Sequence, residues 1–491
     1  MTTDLAFRPV AVTPDALLAL HAARPERYPA FLESAASAQS LGMATGLALA
    51  SGSPCGRFDI LFACPGSRLT LDGAGRLTMD STQADLPGAE DGGDFLQALD
   101  RWWLSERAAP AVDQRFPFSG GWLVYLGYEL AGQIEPRLRL VNPPVGPVAQ
   151  AIRIPAAIIH ERDSGKAWII AERTAEFLIE IIAADVRQFA SLAPSHDLAT
   201  NALLCADIAE DPPETYLHAV DRALEYIAAG DIYQANLSRG WTAQLNAGIK
   251  PVQLYQRLRK TNPGPFSGLA MLDDLAVVSS SPERLVSVRD GWVSTRPIAG
   301  TRPRGMDSAT DRNLAAELHA HPKERAEHVM LIDLERNDLG RVCEAGTVQV
   351  DEFMTIESYA HVHHIVSNVR GRLRSDVTPG QVLAAVFPGG TITGCPKVRC
   401  MQIIAELEGA PRGAYTGSLG YLNRDGSMDL NILIRSLEIH GDQVALRAGA
   451  GVVADSVPER ELEESRAKAR GVLRALVECE RGERARGEGV A

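Results

Sequence analysis

The sequence predicts an α+β protein whose sheet is largely antiparallel. Three observations carry that expectation. Strand-like runs such as LAVVSSSP, GWVSTRPI and HHIVSNVRG are bounded by short turn signals, and strands joined by short links pair antiparallel. Helical stretches fall among them irregularly, which excludes a regular βαβ alternation. No period of roughly 20 to 50 residues recurs, which excludes solenoids and propellers.

Composition narrows the class further. Of 491 residues, 45% are hydrophobic and 23% charged, values that exclude collagen-like, disordered and membrane-spanning chains. Lys and Arg total 49 against 62 Asp and Glu, a formal net charge of -13, so a nucleic acid partner is not expected. No apolar run reaches the roughly 18 residues of a spanning helix, and MTTDLAFRPV lacks the basic and apolar regions of a leader; the expectation is a cytoplasmic protein with no membrane partner. The seven cysteines are scattered and never spaced C-x-x-C, so reduced thiols are expected, with neither a disulfide framework nor a zinc cage.

Taken in order, residues 1–210 read as short strands and helices broken by Gly and Pro, with a turn-rich LPGAEDGGDF and an aromatic run, FPFSGGWLVYLGYEL. RIPAAIIHERD and KAWIIAER alternate like strands, and 174–192 carries helical spacing. The polar ADIAEDPPETY marks a boundary near residue 210. A strong helix then runs from about Thr215 to Ala229, with Gly230 as its C-cap. Residues 211–480 supply most strands, LNILIRSLEI and DQVALRAGAG among them, and 481–491 form a charged tail.

Four features could carry chemistry. Two E-x-x-E segments, Glu324 with Glu327 and Glu461 with Glu464, each place two carboxylates on one helix face. Leu331 and Leu334 follow Glu327 at i+4 and i+7, which turns that carboxylate toward the core. If the two helices face each other, four carboxylates suit a hard divalent cation such as Mg²⁺; otherwise they are solvated glutamates in pairs such as Glu464 with Lys468. AGAGVVADS loosely matches a dinucleotide fingerprint, but no later strand carries the ribose-binding acid, leaving a glycine-rich turn that either approaches an anion or is a plain turn. HVHH places His361 and His363 on one strand face and His364 on the other, with one core-facing histidine as donor or acid. Arg435, in the alternating LNILIRSLEI, either snorkels out or binds an anion. No G-x-C-x-G, G-x-S-x-G or P-loop occurs, so glutamine hydrolysis, esterase and nucleotide-triphosphatase chemistry lack their nucleophile or cradle.

Seven segments in order, DIYQANLSR, SPERL, RPIAGTRPRG, ERAEHVMLIDLERNDLGRV, VHHIVSNVRG, PGGTITGCPK and GAGVVADSVPERELEESRAK, resemble the chorismate-utilising enzymes over about 212–478. FLES and PFSGGWLVYLGYEL are similar to the N-terminal part of the synthase component I branch. The resemblance implies a large sandwich of mostly antiparallel β-sheets covered by helices. It also implies Mg²⁺ on Glu327 and Glu464, with Glu324 and Glu461 in support, gripping the ring carboxylate of chorismate. Arg435, Tyr415 and the Gly449, Ala450 and Gly451 backbone match sites for the enolpyruvyl carboxylate. Gly300, Thr301, Thr391 and Lys468 line the same pocket. Glu283 matches a general acid for the C4 hydroxyl and His364 a histidine near the ring.

Gln234 stands where the isochorismate-forming branch carries a water-activating lysine, and an amide is no base. Two aminating branches remain. YQANLS, VHHIVS, ITGCPK and GGWLVYLGYEL resemble the branch that makes 4-amino-4-deoxychorismate, whereas Ala299 in PIAGT resembles the anthranilate form, many of the former carrying a lysine there. The resemblance further implies an ammonia-supplying glutamine amidotransferase subunit as partner. It also makes Ser34, with Pro265 and Phe266, a candidate tryptophan site. The alternative for FLES is a helix segment stabilising the N-terminal sheet.

Overall fold

The computed structural model describes residues 5–35, 56–80, 93–109, 115–189, 203–358 and 362–477. The charged tail, His361 and most of the LPGAEDGGDF stretch lie outside them. Among the described residues the strands form two antiparallel sheets, of 12 and 11 strands.

Each sheet is built from two halves. In the first, Leu5–Val10, Lys166–Glu172, Ala156–Glu161, Phe58–Ala63 and Ala30–Glu33 lie side by side, and the order continues through Phe266–Leu272, Leu275–Ser281, Ser436–His440, Gln443–Val453 and Gln234–Gln244. In the second, Ile298–Pro303, Val362–Arg372, Trp292–Thr295, Arg284–Arg289, Met428–Asn431 and Ser418–Asn423 continue into Gly121–Leu126, Pro147–Ile154, Arg68–Asp72 and Leu77–Asp80. The seams are Ala30 opposite Ala270 and Leu126 opposite Ser418. Both sheets therefore take strands from either side of residue 210, and the change in sequence character there falls inside shared sheets.

Burial follows from this layering. Phe62, Val277 and Ile159 of the first sheet meet Leu123, Tyr125 and Leu419 of the second in one buried cluster, so the sheets pack face to face. The outer face of the first is covered by helices Pro14–Ala23, Leu178–Phe189, Pro251–Thr261 and Pro458–Val477, and that of the second by Phe95–Glu106, Pro322–Gly340 and Pro379–Val386. This is the expected α+β sandwich. Several helices open on proline, at Pro14, Pro213, Pro251, Pro322 and Pro379, whose fixed φ suits the first turn and whose missing N–H has no partner to lose there. The helix expected from about Thr215 runs Pro213–Ala228, and Gly230 closes it at φ +81° with its N–H on the Ile227 carbonyl.

Three local expectations are corrected. The FLES segment is not helical: Ala30–Glu33 is the strand that forms the seam of the first sheet. LNILIRSLEI is not one strand, because residues 432–435 leave the second sheet after Asn431 and enter the first at Ser436, and Arg435 sits in that crossing at φ +53°. AGAG is not a turn. Gly449, Ala450 and Gly451 lie inside strand Gln443–Val453, opposite Ser238, Leu237 and Asn236, and the turn comes only after Val453. Gly449 meets its neighbour so closely that a Cβ would stand 2.0 Å from the Leu237 carbonyl oxygen, so the glycines serve close strand approach.

Candidate active site

The carboxylates come from helices that rest on different sheets. Pro322–Gly340 packs on Ile298–Pro303 and Val362–Arg372, whereas Pro458–Val477 packs on Gln443–Val453. The charge of Glu464, itself exposed on the second helix, acts on Glu327 of the first. Leu331 and Leu334 are buried, as the stripe required, and Glu327 at its head is half-buried. Gln234 Nε2 donates to Glu327 Oε1 at 3.3 Å. Gly451 lies behind them: a Cβ there would stand 2.3 Å from Gln234 Nε2 and 3.7 Å from Glu327 Oε1. Burial, then the charges of Glu324 and Glu464, push the Glu327 carboxyl up, while Lys468 pulls it down. Lys468 pairs with Glu464 at 2.8 Å; desolvation opposes its charge, but Glu464 and Glu327 hold its pKa above the ordinary lysine value. Glu461 is pushed up by burial, with Ser456 acting against this and Glu464 adding to it.

These residues fit a hard cation by chemistry. They are oxygen donors that repel one another, and the cations beside them include Lys468, 2.8 Å from Glu464, and Arg302, 3.2 Å from Glu324. Among the described residues no three His, Cys, Asp or Glu side chains are gathered as a ready cage.

Under helix Pro322–Gly340, strand Ile298–Pro303 bulges between Ala299 and Thr301, and Gly300 takes φ +63° there. A Cβ on Gly300 would come within 2.8 Å of Glu324 Oε2, so the glycine lets the strand approach the carboxylate. Thr301 is exposed, and its hydroxyl lies 3.0 Å from His364 Nδ1, which is also 3.2 Å from the Gly300 carbonyl oxygen. Burial, then the charge of Arg435, lower His364 to about 3, so it is a neutral hydrogen-bonding ring. His363 points the other way, to Ser358 and Asp311, and its role is structural.

Glu283 is 4% exposed. Its carboxylate accepts the Ile298 N–H at 3.4 Å, and Arg435 and Glu335 face it. Burial pushes it up to about 8; the Thr391 hydroxyl beside it opposes the shift without meeting hydrogen-bond geometry, and Glu335 adds to it. A carboxyl that keeps its proton at neutral pH can donate it, which an exposed glutamic acid cannot do.

Tyr415 is buried, with the Arg412 guanidinium 5.5 Å from its ring centroid. Arg412 is fixed in turn by Glu408 at 2.6 Å and by the Asn236 carbonyl oxygen at 2.6 Å. Sequence reasoning missed this Arg412–Glu408 pair and the Glu335–Asp338–Lys397 group behind Glu283. The i,i+4 spacing of Glu408 and Arg412 is a local signal, whereas Lys397, 59 positions from Asp338, carries none. The Gln234–Glu327 contact, Lys468, the His364–Gly300–Thr301 contacts, Arg435 and Glu283 are linked through successive neighbours.

Ser34, Pro265 and Phe266 meet elsewhere, around a cavity of about 80 Å³ that also includes Glu33, Arg284 and Asp429. The Ser34 backbone N–H donates to Asp59 Oδ1 at 3.3 Å, and its hydroxyl is buried without a partner. A further cavity of about 270 Å³ beyond Pro117 and Tyr421 is lined by none of the predicted site residues.

Comparison with known proteins agrees with this geometry. The family model described as chorismate binding enzyme matches residues 73–474. An anthranilate synthase component I-like protein of Synechocystis is 44% identical over 369 residues, 74% of each chain. Aminodeoxychorismate synthase component 1 of Bacillus subtilis is 39% identical over 398 residues, 78% of this chain and 82% of that one. The crystal structure of anthranilate synthase component I from Streptococcus pneumoniae superposes with a TM-score of 0.74 at 30% identity, covering 87% of this chain and 94% of that chain. With a match that covers most of the chain and includes Glu283, Glu324, Glu327, Glu461 and Glu464, the chain belongs to the chorismate binding enzyme family.

Proposed function

We propose that the protein aminates chorismate at C4, giving 4-amino-4-deoxychorismate, with ammonia delivered by a separate glutaminase subunit. The observation that carries amination is Gln234 against Glu327: an amide occupies the place where water activation needs a base. C4 is favoured by YQANLS, VHHIVS and ITGCPK; in the fold the first and last of these meet, with Gln234 opposite Cys395.

In this reading Glu283 gives its proton to the departing C4 hydroxyl, since hydroxide is a poor leaving group at neutral pH. Arg435 and the Gly449–Gly451 strand neutralise the enolpyruvyl carboxylate, and neutral His364, held by Gly300 and Thr301, orients the ring. Glu327 and Glu464, supported by Glu324 and Glu461, would hold Mg²⁺, whose contribution is to neutralise the ring carboxylate.

The second reading, anthranilate formation by amination at C2 with loss of pyruvate, is favoured by Ala299, which is buried and has no nucleophile. Chorismate, Mg²⁺ and ammonium with an added 4-amino-4-deoxychorismate lyase separate the two. Lyase-dependent 4-aminobenzoate is expected; fluorescent anthranilate without lyase overturns the C4 reading. Ala299→Lys should still permit C4 amination and leave a substrate adduct detectable by mass spectrometry. The orphaned Ser34 hydroxyl supports tryptophan as ligand of the second pocket; tryptophan should raise the melting temperature of the parent and not of Ser34→Val.

A further inference from the structure

Glu283 is backed by a second layer of buried charge. Glu335, on helix Pro322–Gly340, is 5% exposed. It accepts the Gly390 N–H at 3.3 Å, and a Cβ on Gly390 would stand 3.0 Å from its Oε1, so the Gly390–Ile392 turn rests on this carboxylate. That turn carries Thr391, the neighbour of Glu283. The Thr295 hydroxyl, buried without a bond of its own, lies beside Glu335 as Thr391 lies beside Glu283. One helical turn on, Asp338 takes Lys397 Nζ, which also donates to the Val386 and Pro388 carbonyls at 3.2 and 2.9 Å and so fixes the approach to the same turn.

We propose that Glu335 is a positioning residue for Glu283: it seats the turn that carries Thr391 and, sharing one water-poor pocket with Glu283, leaves the proton on Glu283. This rests on the reading of Glu283 as general acid. Two carboxyls in such a pocket do not both ionise, and the pair retains one proton. The groups facing them decide where it sits. Arg435 faces Glu283 and favours its anion; at Glu335 burial, then the charge of Asp338, favour the proton, and Lys397 favours the anion. Arg341 faces Asp338. Burial and the neighbouring Glu335 outweigh Arg435 at Glu283.

Glu335→Gln keeps the shape and an acceptor for the Gly390 N–H but removes the charge. In the full-length protein, chorismate consumption is followed against pH at constant free ammonia. The alkaline limb of kcat should move down by about one pH unit with KM nearly unchanged. Glu335→Asp should keep the limb where the parent has it, and Thr295→Val, which destabilises the Glu335 anion, should move it down by less. Coincident limbs for Glu335→Gln and parent overturn the proposal, as does an equal shift in Glu335→Asp. Should Glu335→Gln not fold, the near-isosteric Thr295→Val decides by the same criterion. Glu283→Gln separates the two levels: parental kcat there removes the general-acid reading itself, whereas an inactive Glu283→Gln with an unmoved Glu335→Gln limb removes only the role of Glu335.

Discussion

At the scale of single residues, the two glycines of one strand do different work, and substitution should separate them. A Cβ on Gly449 meets the backbone of Leu237, which cannot move aside without disturbing the ladder. Gly449→Ala should therefore cost about 2 kcal/mol of stability, read by chemical denaturation. A Cβ on Gly451 meets the far end of the Gln234 side chain, which can swing away. Gly451→Ala should cost less than about 1 kcal/mol but displace Gln234 from Glu327, with kcat/KM falling tenfold or more. Equal melting losses for the two variants would show that this assignment of roles is wrong. Neither distinction is legible in the sequence, where both are glycines of one motif.

At the scale of elements, the loop that presents Tyr415 is held by carboxylates from distant parts of the chain. Glu129, in the short 3₁₀ turn Tyr128–Leu130, accepts the Arg412 N–H at 2.7 Å and the Gly413 N–H at 3.1 Å, and Glu438 accepts the Ala414 N–H. Gly413 adopts φ +60°, and a Cβ there would run into Glu438 Oε1 at 2.3 Å, so this position needs glycine twice over. Glu129→Gln exchanges an ionisable acceptor for a neutral one under buried N–H groups. It should destabilise by roughly 1–3 kcal/mol and raise KM for chorismate more than it lowers kcat, since Tyr415 loses its seat. An unchanged KM would disconnect the N-terminal part from the cleft. The aromatic run around Glu129 was readable as belonging to the family, but its purpose was not, because Glu129 and Arg412 are 283 positions apart.

At the scale of the whole molecule, the two sheets are shared between both parts of the chain. A 211–491 fragment would expose the edge of Phe266–Leu272, the edge of Ser418–Asn423 and half of the inter-sheet core. It should be insoluble alone and recovered by co-expression with 1–210; a soluble, cooperatively folded fragment would contradict the seams.

Titration of buried groups sets the pH range of stability. Burial lowers His21 and His328 to about 4 and His364 to about 3 from the ordinary 6.5, so between those values the unfolded chain binds protons that the native state refuses. Burial raises Glu33 and Glu129 to about 7 and Glu283 to about 8 from 4.5, so between those values the native state holds protons that the unfolded chain has released. Below about pH 4.5 the histidine effect is joined by carboxylates held below their ordinary range, Asp311 and Glu408 among them, and stability falls with falling pH. Above about pH 6.5 the carboxyl effect stands alone, and stability falls with rising pH. Between the two the effects oppose each other, and melting temperature against pH should show a plateau there.

The antiparallel α+β class, the helix faces that carry Glu324, Glu327, Glu461 and Glu464, and the family were legible along the chain, because periodicity and an ordered set of motifs are local properties. That 432–435 crosses between sheets, that AGAG is a strand and that residues on both sides of 210 build the same two sheets emerged from the folded chain alone. It also placed Glu335 behind Glu283. Each of these depends on partners far apart in the chain, and a buried charge declares its meaning only once the group facing it is known.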